Sequence, residues 1–211
     1  NCIPELTVCL RKSELLKYLN QIEPYKKNWK MEDYPHVIQE AKRLLQLDAK
    51  RQDIRFILAE AYEHANDKLS AYMSFSDFAE IASADAGETE RLVYALYHMG
   101  VLSVSLGKPV QAVKAFKKLC SLQSRPSIYE KAMYLQIQTL FQTGEGIEAE
   151  NLTRDFRREY PTSKFAYLSV LKAARHFYSA NEFERAESLL NELKDESKFL
   201  ALLHLHLFRP N

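Results

Sequence analysis

With 211 residues the chain is long enough to bury a substantial core, as one domain or one repeat array. Hydrophobic residues make up 46% and charged residues 27%, the balance of a folded globular protein, and 5 Gly with 7 Pro leave too few turns for a many-stranded β fold. A formal charge of +1 gives no global drive toward nucleic acid or an anionic membrane, and no apolar run approaches the roughly 20 residues of a membrane span.

In chain order, residues 1–31 are expected to be irregular. A helix is predicted from Ser13 to Ile22, with Leu15, Leu16, Leu19 and Ile22 apolar. Pro24 should end it, ahead of a loop carrying Lys26, Lys27 and Lys30. Cys2 admits two readings: a lipidated cysteine exposed by removal of a signal peptide, or an ordinary cysteine near an arbitrary start. Cys2, Cys9 and Cys120 are odd in number and lack CxxC spacing, so they are no disulfide framework. Cys120 falls beside core positions on a predicted helix and reads as an apolar filler.

Beyond residue 32 a helical pattern recurs. Val37, Ala41 and Leu44 form a first, weaker copy. Leu58, Ala59 and Tyr62 then precede Ala71, Phe75 and Phe78. The stretch from Leu96 to Leu119 is the clearest copy, with Leu96, Met99 and Gly100 on one predicted helix. Gly107 suits the left-handed residue that ends it, and Pro109 suits the first position of the next. Ala112, Phe116 and Leu119 follow on one helical face. Ala149 is followed by Phe156 and Pro161; Ala174, Phe177 and Phe183 precede Ala186, Leu190 and Leu193. The anchor alanines 71, 112, 149 and 186 stand 41, 37 and 37 residues apart, the period of a helical hairpin. The join from Ser83 to Gly87 is expected to reflect an extended second helix, which would account for the longer interval.

Nothing in the sequence forms a catalytic constellation. The histidines 36, 64, 98, 176, 204 and 206 are spread over different copies. His204 and His206 lie about 200° apart on a regular helix and cannot chelate one metal from it. HExxH, P-loop and GxSxG motifs are absent. Gly144-Glu145-Gly146 lacks the strand, third glycine and lysine of a nucleotide loop and reads as a turn. No enzyme activity, metal or cofactor is expected.

The recurring residues resemble the tetratricopeptide repeat (TPR) family. Met99-Gly100, Gly107, Ala112 and Phe116 match its pattern, as do Leu58-Ala59, Tyr62, Ala71 and Phe75, and Ala174, Phe177, Phe183 and Ala186. Gly144, Ala149 and Pro161 match too, but Ile137 and Thr153 stand where the pattern has a small residue and an aromatic. The resemblance implies an all-α, right-handed α-solenoid of about five TPR-like helical hairpins over residues 32–198, read as one domain with a terminal helix at 197–209. It also implies a concave groove lined by the first helix of each hairpin. Carried across residue by residue, that groove holds Phe56, Tyr97, Tyr134 and Leu171 at one register and Glu63, Val104, Phe141 and Tyr178 at another. Glu60, Tyr94, Lys131, Gln138 and Arg175 complete the set, and a one-residue error in register would return some of these to the core.

The polar groove residues are asymmetric, with Asp53, Glu60 and Glu63 toward the amino end and Lys131 and Arg175 toward the other. An extended protein segment of reversed charge fits in one direction. The carboxylate clamp of TPR co-chaperones is disfavoured, because aromatics, Glu60 and Gln138 hold its positions, and RNA-reading repeats would need basic flanks. Asp155 to Lys164, reading DFRREYPTSK, resembles a segment of bacterial cell-envelope TPR proteins, the outer-membrane assembly lipoprotein and the Tol–Pal coordinator. Three readings of function follow: a non-catalytic scaffold binding protein segments, in a cell-envelope complex if Cys2 is lipidated; a ligand- or partner-sensing module of a larger cytoplasmic protein; or a solenoid that self-associates, as a homodimer, through the apolar last helix with Phe199, Leu203 and Leu207. That last helix is also explained, and in the favoured reading, by a sequence that stops within a further repeat.

Overall fold

The computed structural model describes residues 34–82, 86–122 and 128–193. Among them are nine α-helices and no strand. These are α1 (Tyr34–Leu47), α2 (Gln52–His64), α3 (Lys68–Ile81), α4 (Ala86–Ser105), α5 (Pro109–Cys120), α6 (Tyr129–Thr143), α7 (Gly146–Glu159), α8 (Lys164–Ser179) and α9 (Phe183–Asn191). The chain divides into two compact units, Asn1–Ala82 and Ser83–Asn211. In the first unit α1 packs on α2 and α2 on α3. In the second, α4 packs on α5, α5 on α6, α6 on α7 and α8, α7 on α8, and α8 on α9. Sequence neighbours are spatial neighbours, as stacked hairpins require. The expected amino-terminal helix, Cys2, and the terminal segment with Phe199, Leu203 and Leu207 lie outside the described residues.

One turn is used four times. Asn66 (φ 59°), Gly107 (69°), Gly144 (83°) and Asn181 (63°) are left-handed, each between the two helices of a hairpin. The residue after each donates its N–H five residues back: Asp67 to the Tyr62 carbonyl (2.9 Å), Lys108 to Ser103 (2.8 Å), Glu145 to Leu140 (2.9 Å) and Glu182 to Phe177 (2.9 Å). This is the Schellman closure, which satisfies carbonyls that the helix end would leave open. The same four residues open the second helix, their carbonyls accepting from Ala71, Ala112, Ala149 and Ala186. Those alanines are the anchors of the repeat, and all are buried. Lacking any atom beyond Cβ, they let the two helices approach closely.

The longer interval between anchors is not taken up by the second helix. α3 has 14 residues, as does α7, whereas α4 has 20 against 15 in α6 and 16 in α8. The extra turn extends the first helix of that hairpin. Each helix buries one stripe and exposes the other, the pattern that makes packing rather than intrinsic propensity the source of helix stability. In the first unit, Ala41, Leu44, Ile54 and Leu58 form one core cluster and Val37, Ile57 and Ala61 another.

The junction of α7 and α8 follows from its sequence. Phe156 is buried, and the Tyr160 ring meets Phe156 edge-on (5.6 Å) and Tyr129 (5.9 Å). Pro161 follows the end of α7, and Ser163 caps α8 by accepting from the Phe165 and Ala166 N–H groups (3.2 and 3.3 Å). The Ser163 hydroxyl in turn donates to the Glu130 carboxylate on α6.

Candidate functional site

In the first unit the expected groove residues are mostly engaged. The Phe56 ring is buried and meets Phe75 (6.0 Å) and Phe78 (5.3 Å) edge-on. Asp53 accepts from Arg51 Nε (2.8 Å) and Nη2 (2.5 Å). Partial burial pushes the Asp53 carboxyl up, but the Arg51 hydrogen bonds and charge outweigh it, so the group lies below its ordinary value. Glu60 and Glu63 are half-buried.

In the second unit the equivalent of Phe56 is Tyr97. It is also buried, with Phe116 of α5 at 6.4 Å, the His98 ring edge at 5.4 Å and the Lys131 ammonium 5.4 Å from its face. The reason is common to both: a first-helix ring at this register lies against the aromatic of its own second helix, Phe75 or Phe116. In the α6–α7 hairpin that aromatic is Thr153, and Tyr134 behaves differently. It is half-buried, leans toward Phe165 of α8 (5.9 Å), and its hydroxyl accepts from Gln138 Nε2 (2.5 Å). Burial pushes the Tyr134 phenol up, countered in part by that bond.

Phe141 is buried between helices, against His176 (4.5 Å) and Phe177 (5.9 Å) of α8, and Leu171 is buried as well. Phe56, Tyr97, Phe141 and Leu171 are thus held in packing by neighbouring helices. Seven others stay accessible on α4, α6 and α8, Val104 of α4 among them. Tyr94 is half-exposed and stacks on His98 at 4.0 Å; Tyr134 and Gln138 are half-exposed; Lys131 and Arg175 are exposed. Tyr178 is 65% exposed, its ring meeting Phe183 of α9 edge-on at 5.3 Å. Three further residues join this face without having been singled out in the sequence: His98 beneath Tyr94, Phe165 beside Tyr134, and Lys172 one turn before Arg175 on α8. The last was legible, since positions three apart share a helical face.

Among the described residues no group of three His, Cys, Asp or Glu is placed to hold a metal ion, and no helix is long and apolar enough to cross a membrane. Burial pushes the Cys120 thiol up to about 12. That environment disfavours the nucleophilic thiolate.

Residues 94–123 match the tetratricopeptide repeat family, a span from within α4 to just beyond α5. No curated protein matches the chain in sequence. Solved structures share its fold at low identity. One of MamA is 14% identical with a TM-score of 0.65, covering 92% of this chain and 97% of its own. YrrB, described as a TPR protein with an unusual peptide-binding site, is 16% identical with a TM-score of 0.60, covering 91% of this chain and 87% of its own. Residues 94–123 thus carry a tetratricopeptide repeat, and the helical hairpins share the fold of these solved structures.

Proposed function

We propose that the chain is a non-catalytic scaffold that binds a protein segment on the first-helix face of its second unit. One observation carries this reading: Tyr94, Lys131, Tyr134, Gln138, Arg175 and Tyr178 stay accessible on helices whose remaining faces supply the core. Tyrosine gives large contact area with few rotors to immobilise, and the flanking polar groups fix orientation. The tetratricopeptide fold supports a protein as the partner, and YrrB, of similar fold, is described as having a peptide-binding site. His64 stacks on Tyr34, His98 stacks on Tyr94, and His176 meets Phe141 at a tilt, which fits packing better than acid–base chemistry.

The test is a pull-down with the wild-type chain beside a Tyr134→Ala/Tyr178→Ala variant. Specific partners should be lost from the variant while its helical content and melting point hold. Partners retained at full yield would contradict the assignment of this face.

We also propose a bacterial cell-envelope setting, supported by the phrase at residues 155–164. Mass spectrometry of the protein from its native host tests this. Lipid on Cys2 supports the setting, and an unmodified Cys2 continuous with a cytoplasmic domain contradicts it.

A further inference from the structure

The charged side chains of α7 and α9 differ from those of α6 and α8. On α7 cations hold carboxylates, Arg158 with Asp155 (2.6 Å) and Arg154 with Glu150 (3.2 Å) and Glu192, and Lys117 of α5 pairs with Glu148 (3.2 Å), while Lys114 of α5 is exposed with no carboxylate on it among the described residues. Arg185 pairs with Glu182 (2.6 Å) and Glu150. On the first helices α6 and α8 the balance is otherwise. α8 carries Lys164, Lys172 and Arg175 and no acid; α6 carries Lys131 and one acid, Glu130, whose carboxylate accepts from Ser163. Among the described residues, Lys131, Lys172 and Arg175 are exposed and no carboxylate pairs with them. Lys131 lies instead over the Tyr97 ring.

These cations share one side. Lys131 and Gln138 are seven apart on α6, two turns along the same face. Arg175 occupies on α8 the register that Gln138 occupies on α6, one 37-residue period later, and the two helices pack on each other. Lys172 stands one turn before Arg175. Tyr134 and Tyr178 are accessible on the same pair of helices. In the first unit, by contrast, Asp53 is neutralised by Arg51. Asp53 is thus held within its own unit, while Lys131, Lys172 and Arg175 are exposed on theirs.

We infer that the α6–α8 face takes an acidic protein segment, its carboxylates meeting Lys131, Lys172 and Arg175 and its apolar or aromatic side chains meeting Tyr134 and Tyr178. This rests on the proposal that the face binds protein. Unpaired cations around rings attract carboxylates and reject basic segments, so charge sets the choice of partner more than the tightness of binding. Nucleic acid fits less well. Three cations are few for a phosphate backbone, and the whole chain carries a formal charge of only +1.

The test uses a phage-displayed library of random 12-residue peptides selected on the full chain, on Lys131→Glu/Arg175→Glu, and on Lys172→Glu/Arg175→Glu. The second double variant keeps the cation over Tyr97 and so guards against loss of folding. Wild-type chain should enrich Asp and Glu over Lys and Arg. A selected acidic peptide should bind either variant about tenfold or more weakly and should weaken in high salt. Selected peptides without acidic excess, or equal binding to the variants, would overturn the charge assignment and leave protein binding standing. No enrichment of any peptide, or tight binding of a 12-nucleotide oligouridine in its place, would overturn both.

Discussion

Gly100 of α4 faces the Phe116 ring of α5 so closely that a Cβ at residue 100 would lie 2.4 Å from Phe116 Cε1. Phe116 is fully buried and leans on Tyr97, so its ring has no free space to turn into. Gly107, in the same hairpin, is needed for a different reason: its φ is +69° and nothing lies near a Cβ built on it.

The two glycines should therefore respond differently. Gly100→Ala overpacks a rigid contact and should cost about 1–3 kcal/mol, despite alanine's better helix propensity. Gly107→Ala should cost about 1 kcal/mol, from the left-handed backbone alone, and Gly107→Asn less, because Asn66 and Asn181 fill the same turn elsewhere. Urea unfolding of the three variants measures this. A Gly100→Ala variant as stable as wild type would contradict the close contact.

The α6–α7 hairpin reverses the sizes. Ile137 and Thr153 stand at the registers of Gly100 and Phe116, and both are fully buried. Bulk has moved from the second helix to the first, and the Thr153 hydroxyl is satisfied by the Ala149 carbonyl (2.7 Å). Thr153→Phe should destabilise by about 2 kcal/mol or more, since the space is filled. Combined with Ile137→Gly, the loss should be smaller than the sum of the single losses, by about 1 kcal/mol in a double-mutant cycle. Strict additivity would mean the two positions do not share a space.

Asp53 gives the first unit a dependence on acid. Its folded carboxyl lies below the ordinary value because the Arg51 hydrogen bonds outweigh partial burial. The stabilisation is thus present above the unfolded value, about 3.9, and is lost as pH falls through the folded value. Asp53→Asn should lower the melting point at pH 7, with the difference from wild type shrinking below about pH 4. A difference that persists unchanged at pH 2 would contradict a charge-based contribution.

Much of this fold can be read in the sequence because it rests on a few backbone and size requirements. Ala71, Ala112, Ala149 and Ala186 mark where helices touch, and Gly107 and Gly144 mark two of the four left-handed turns. The other two are held by Asn66 and Asn181, which sequence alone does not separate from any loop asparagine. The site was less legible. A ring on a first helix is buried or open according to the residue facing it from the second helix. Phe75 and Phe116 hold Phe56 and Tyr97 in packing, whereas Thr153 leaves Tyr134 partly open. That departure from the repeat pattern was visible in the sequence as a mismatch, and its consequence required the packing. Ion pairing was not legible either: Asp53 and Lys131 look equally available until Arg51 is seen on one and no carboxylate on the other.

The roles of the tyrosines separate on the same ground. Tyr97→Ala should lower stability by about 2–4 kcal/mol through the cavity it leaves beside Phe116, and any loss of binding would follow from that. Tyr134→Ala and Tyr178→Ala should weaken partner binding with little change in melting point. Thermal unfolding beside a binding isotherm distinguishes them. A Tyr178→Ala variant that melts as low as Tyr97→Ala would assign that ring to packing.

The most direct measurement is the NMR footprint of a library-selected peptide on the full chain. Amide shift changes should concentrate on α6 and α8, around Lys131, Tyr134, Gln138, Arg175 and Tyr178. A footprint on the second helices α5, α7 and α9, with these residues unchanged, would contradict the account.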